Sequence, residues 1–176
     1  HTRYISVTGV QTCALPICRE AGTASLVAQR YVLHHLARCR PRDLVTWADR
    51  AMELVDPAAP TAVEAAAVRG LGVAPTEGID VALDGYRALM ERVPEGPVAQ
   101  RVTMASGWLH LAADDPDRAR EELESAVPTD FLGGSLRISL WARGWLARVQ
   151  FQAGDWDEAM RTASAGLELA QRSGMS

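Results

Sequence analysis

The sequence predicts an all-α fold, an α-solenoid of about four antiparallel helix pairs. Three observations carry that expectation. Ala, Leu, Glu and Arg dominate from Arg19 onward, and all four are good helix formers. Apolar residues over the same stretch recur at helical spacing, and strand signals are scarce. Breakers collect in short clusters that leave segments of roughly 11–20 residues, too short to stand alone and stable only when packed.

The clusters mark the helices in turn. The first runs up to Pro41, and the second lies between Pro41 and Asp56-Pro57-Ala58-Ala59-Pro60. The third ends at Ala74-Pro75-Thr76-Glu77-Gly78, and the fourth at Pro94-Glu95-Gly96-Pro97. The fifth reaches Asp114-Asp115-Pro116, and the sixth reaches the segment from Pro128 through Gly134. The seventh stops at Gly154-Asp155, and the eighth occupies the remainder. Pro41 and Pro116 suit first helical positions, where no donor is lost. Asp115 is expected to cap the sixth helix. Asp155 is expected to cap the eighth, with Glu158 three residues on completing a capping box.

An internal order repeats through these helices. Gly107 is followed twelve residues later by Ala119, Ala147 by Ala159, and Gly70 by Ala82. Seven residues further on stand Ala126, Gly166 and Leu89, with Leu44 and Ala51 as a weaker, earlier copy. Two helices of a pair cross closely only where neither projects a bulky side chain. A mid-helix glycine such as Gly107, costing about 1 kcal/mol against Ala, implies that close packing offsets the loss.

This small–twelve–small–seven–small order resembles the tetratricopeptide repeat, with a period longer than the usual one. The stretch Val127-Pro128-Thr129-Asp130-Phe131-Leu132-Gly133-Gly134-Ser135 carries a narrower likeness. With Leu140 through Arg148 and Gly154-Asp155-Trp156-Asp157-Glu158-Ala159, it is similar to the middle region of large actinobacterial LuxR-type regulators. Those proteins join an ATPase module, a long tetratricopeptide-like region and a C-terminal helix-turn-helix. The likeness covers Arg19–Ser176 and implies a non-catalytic region that binds a protein, a peptide or a small effector in the cytoplasm and transmits the event. The alternative is a free-standing tetratricopeptide scaffold. The resemblance also implies a concave groove lined by Arg101, Met104, Trp108, Leu111, Trp141, Arg148 and Phe151, an aromatic floor with arginine heads. On this reading the chain is truncated at both ends, and its uncovered apolar faces should promote self-association.

The first eighteen residues read differently. His1–Cys18 lacks Asp and Glu and is nearly free of Ala, and Val7-Thr8-Gly9-Val10-Gln11-Thr12-Cys13-Ala14-Leu15-Pro16-Ile17 resembles a translated short-read sequencing adapter. The segment is therefore set apart as non-native and disordered, and residues 19–176 are taken as the helical-repeat region.

Composition removes several function classes. All 18 basic residues of the 176 are Arg, with no Lys and no Asn. That excludes a phosphate-binding loop, a Schiff-base lysine and the Lys/Asn clamp some tetratricopeptide proteins use for C-terminal carboxylates. A net charge of -4 disfavours direct nucleic-acid contact, and no apolar run approaches membrane-spanning length. His34, His35 and Cys39 are the nearest approach to a metal set, with His35 and Cys39 one turn apart, but no further ligand completes it. Asp114, Asp115, Asp117, Glu121, Glu122 and Glu124 crowd a helix start, where negative charge is favoured, and no His is placed to pair with them. Ser135 and Ser139 lack a nucleophile-elbow context. Neither an enzyme nor a cofactor is expected. His110 reads as a half-buried packing residue, and most of the five Trp as core.

Overall fold

The computed structural model describes residues 21–127 and 135–174. The segment set apart at His1–Cys18 and the loop Pro128–Gly134 lie outside the described residues, as do the side chains of residues 21–25 and 29. Among the described residues every regular element is a helix. In chain order these are α1 (Ala21–Ala37), α2 (Pro41–Glu53), α3 (Pro60–Glu77), α4 (Ile79–Arg92), α5 (Gly96–Ala112), α6 (Pro116–Ser125), α7 (Leu136–Gln152) and α8 (Trp156–Arg172). Antiparallel pairs form between α1 and α2, α5 and α6, and α7 and α8, and the chain divides into two compact units after Thr76.

In the first unit α1 and α2 form a hairpin and α3 packs on α2. Val32, Leu44, Ala48 and Val68 make one buried cluster, with Leu36 and Trp47 against it. Ala28, Ala51 and Ala65 make a second. The Tyr31 ring stacks on Trp47 at 4.4 Å between centroids, closing one side of the hairpin. The tightest approach is between α2 and Gly72 of α3. A Cβ there would lie 2.8 Å from Leu44 Cδ2 and 2.9 Å from the Pro41 carbonyl oxygen. The repeat register points to Gly70 as the small residue of this helix; Gly70 is buried, but Gly72 takes the close contact. The Arg69 guanidinium donates to Asp49 at 2.6 Å, a second tie between α3 and α2.

The break expected over Ala74–Gly78 arrives late, because α3 continues through Pro75 to Glu77. A proline ring removes a backbone donor and crowds the preceding turn. The Thr76 hydroxyl folds back onto the same turn, donating to the Gly72 carbonyl at 2.8 Å. The chain then turns at Gly78, whose φ of 124° lies in the range glycine tolerates.

The second unit contains α4 to α8. One core cluster joins Met104 of α5, Ala119, Leu123 and Ala126, and Ile138, Ala142, Leu146 and Val149 of α7. The expected crossing at Gly107 is present: an added Cβ would sit 2.8 Å from Leu123 Cγ and 3.2 Å from the Ala119 carbonyl oxygen. Anchors Leu44, Ala51, Ala82, Leu89, Ala119, Ala126 and Ala159 are all buried, and Gly166 is half-buried.

The turns set the repeat more firmly than the anchors do. Three pairs close with one bond pattern, in which the backbone N–H of Arg40, Asp115 and Asp155 donates at 2.9 Å to the carbonyl of His35, His110 and Gln150. The residue before each donor takes a positive φ: Cys39 at 51°, Asp114 at 62° and Gly154 at 86°. Cys39 therefore belongs to this turn and is exposed, rather than continuing the helix that carries His35. The α3–α4 connection does not share the pattern.

Capping agrees at one end and differs at the other. Asp115 accepts from the Arg118 backbone N–H at 3.2 Å. Asp155 makes no cap bond; its carboxylate instead accepts from the Arg120 guanidinium of α6, and Glu158 pairs with Arg161. A charge-assisted bond to guanidinium outcompetes a neutral backbone donor. The Trp residues also depart from expectation: Trp47, Trp108 and Trp145 are half-buried, and Trp141 and Trp156 are exposed. Ala, Leu, Val and Ile fill the core in their place, because the close crossings leave no room for an indole.

Two glycines of similar sequence context should respond oppositely to a methyl group. Gly107→Ala is expected to destabilise by about 1–3 kcal/mol through overpacking. Gly144→Ala, in a helix and with nothing within 4 Å of the new atom, should stabilise by about 0.5–1 kcal/mol. Urea denaturation reads both, and equal signs would contradict the crossing.

Candidate functional site

The α5 and α7 helices carry the residues expected to form the groove, and they carry them without a single Asp or Glu. Arg137, Arg143 and Arg148 make α7 wholly basic. The structure sorts the seven residues by what each touches. Trp141 and Phe151 stand open to solvent, 45% and 63% exposed. Arg148 is exposed and lies over the Trp145 ring, 5.8 Å from its centroid. The same ring meets Trp108 of α5 at 5.9 Å in a tilted arrangement. Arg101 is half-buried, and Leu111 is half-buried against the core. Met104 is a correction: at 3% exposure it belongs to the core cluster and packs between α5 and α7 rather than facing a ligand.

Trp145 is the residue the sequence reading passed over. It bridges the two helices, touching Trp108 on one side and Arg148 on the other. The signal for it was present as a stripe at helical spacing through Trp141, Trp145 and Arg148. A weakly hydrated guanidinium on an indole face, next to two exposed aromatic rings, suits apolar and acidic groups of a partner.

A second cluster joins α5 to α6. His110 Nδ1 lies 3.9 Å from Asp115, and its Nε2 lies 3.7 Å from Glu122. The expectation that no His faces the acidic start of α6 is therefore overturned, because the tight turn folds His110 back over it. Burial pushes the Glu122 carboxyl above its ordinary value of 4.5, with Ser106 and His110 pulling the other way. The imidazole side chain is only 12% exposed and stands beyond hydrogen-bond reach of both carboxylates, so His110 packs across the hairpin beside the half-buried Glu122.

The remaining candidates have structural roles. Ser139 is buried, and its hydroxyl accepts from Gln100 Nε2 at 2.9 Å. Ser135 offers its backbone N–H to Gln100 Oε1 at 2.6 Å. Burial lowers the pKa of His35 from 6.5, partly opposed by Asp43, whose carboxylate is 3.8 Å away. Among the described residues no three of His, Cys, Asp and Glu come together as a metal site. Among them, too, no helix is long and apolar enough to cross a membrane.

The fold and its repeating turns define an all-α, tetratricopeptide-like helical-repeat protein. No protein-family model and no curated protein matches the chain. Among solved structures, the chain is similar to the crystal structure of MamA, with a TM-score of 0.58 over 99% of this chain and 100% of that one. At 13% identity, the likeness is one of fold.

The burial of Glu122 has a pH signature. A carboxyl whose folded pKa is raised stabilises the fold below its ordinary value, and that contribution is lost as pH rises through the folded value. Glu122→Gln removes the loss, so the variant should gain on the parent as pH rises above the ordinary carboxyl value of 4.5 in urea denaturation. Curves that stay parallel over that rise would contradict the burial of the charge.

Proposed function

We propose that this chain is a non-catalytic recognition region that takes an acidic, partly apolar peptide on the α5–α7 face, within a LuxR-type transcriptional regulator. The observation that carries the recognition part is the continuous set Trp108, Trp145, Arg148, Trp141 and Phe151, aromatic and basic together on two helices without acidic residues. Exposed aromatic groups beside arginine are the commonest anchors of protein interfaces. The stretch Val127–Ser135 and the motif Gly154–Ala159 support the regulator context through their resemblance to that family.

In such a protein, partner binding on this face would be passed to separate ATPase and DNA-binding parts. The chain's own chemistry fits a contact role: His110 and Glu122 are half-buried between α5 and α6, and buried Ser139 is consumed by Gln100.

A phage-displayed peptide library selected on the purified chain tests the recognition part. Selected peptides should combine Asp or Glu with Leu, Phe or Trp. Arg148→Glu and Trp141→Ala should each weaken binding roughly tenfold or more, as loss of an interface anchor does. Arg87→Ala on α4 should leave binding unchanged. Selected peptides indifferent to Arg148 and Trp141 would remove the face from consideration. The genomic flanks test the context: an encoded P-loop module upstream and a helix-turn-helix downstream support the regulator, and an intact short reading frame supports a free-standing scaffold instead.

A further inference from the structure

The repeat register defines what each helix face packs against, and two faces repeat a buried surface while remaining open. The shared turn bonds place α8 forty residues after α6 and α7 one hundred and fifteen after α1. Leu123 of α6 is fully buried, and Val127 just past the helix end is half-buried, in the cluster that α7 covers with Ala142, Leu146 and Val149. The counterparts on α8 are Ala163 and Leu167, preceded by Met160 where α6 has Arg120. All three are exposed, Met160 by 69% and Leu167 by 61%. The counterparts on α1 are Val27, Tyr31 and His34, and these are exposed as well, Val27 by 36% and Tyr31 by 37%.

We propose that α8 of one chain docks against α1 of a second copy, reproducing between chains the α6–α7 contact made within one. The charges match the same template. The α7 helix has three Arg and no acid, and it packs on α6, where Asp117, Glu121, Glu122 and Glu124 outnumber Arg118 and Arg120. The α1 helix likewise carries Arg30, His34 and His35 and no acid, with Arg38 and Arg40 just beyond it. On α8, Asp157, Glu158 and Glu168 outnumber Arg161 and Arg172. A helix without acids, α1, therefore meets the apolar face of α8, a helix with an acidic excess of one. The counterparts of the Arg120–Asp155 ion pair are Met160 and Arg40, so apolar area and opposite helix charge close this joint rather than that pair.

The joint uses two different surfaces, so each chain that joins leaves one face free for another. It is separate from the aromatic face of α5 and α7, and its failure would leave the peptide reading untouched.

Sedimentation velocity of the 176-residue chain over a concentration series tests the proposal. The parent is expected to associate as concentration rises. Leu167→Glu and Val27→Glu should each sediment as monomers with unchanged helical circular dichroism and melting. An equimolar mixture of the two variants should recover a complex that stops at a pair, because one variant keeps an intact α1 and the other an intact α8. Met160→Glu should behave as Leu167→Glu does. A parent that stays monomeric at every concentration overturns the proposal. So does an assembly broken by Leu167→Glu but indifferent to Val27→Glu, which would mean that α8 pairs with itself. A variant mixture that stays monomeric does the same.

Discussion

The second unit is organised around one buried amide. Gln100 on α5 is 9% exposed, and its side chain makes three hydrogen bonds to groups distant in sequence. Its Nε2 donates to the Ala126 carbonyl at 3.0 Å and to the Ser139 hydroxyl at 2.9 Å, and its Oε1 accepts from the Ser135 backbone N–H at 2.6 Å. Ala126 closes α6 and Ser135 opens α7, so a single side chain holds both ends of the connection between them. A buried polar group left unpaired costs about 1–3 kcal/mol, whereas a paired one fixes geometry. That geometry sets α7 on the Leu123 face of α6, and with it the contact that α8 and α1 leave open.

The fold was legible because the crossings demand small residues at fixed intervals. Gly107, Ala119 and Ala126 declare themselves by size, and a tight turn between them declares itself by Asp-Asp-Pro. Positions governed by competition between partners were not legible. Asp155 carries a capping sequence, yet the Arg120 guanidinium of α6, thirty-five residues earlier, takes its carboxylate. Pro75 reads as a stop, yet α3 continues through it to Glu77. Gln100 stands in an apolar helix with nothing in the local sequence to show that three partners converge on it.

The candidate face was half legible for a related reason. Helical spacing and resemblance put Trp108, Trp141, Arg148 and Phe151 on one class of helix, and the structure keeps all four off the core. Spacing does not say which side of a neighbouring helix meets a given residue. Met104 is thus lost to the core cluster, and Trp145 becomes the link between α5 and α7. The same limit hid the approach of His110 to Asp115 and Glu122, which exists only because the turn at Asp114 folds α6 back on α5.

Charge segregation connects these features. Helices α1, α5 and α7 have no acidic residue among them, while α6 and α8 carry an acidic excess. The arrangement draws successive helices together and leaves the α5–α7 face basic toward a partner. Whether the Gln100 joint governs the α5–α7 arrangement is decided by amide hydrogen exchange on Gln100→Ala. The amides of α5, α6 and α7 should lose protection together, by about 1–3 kcal/mol each, because they open as one unit. Loss confined to the first turn of α7, with α5 and α6 protected as before, would contradict the account.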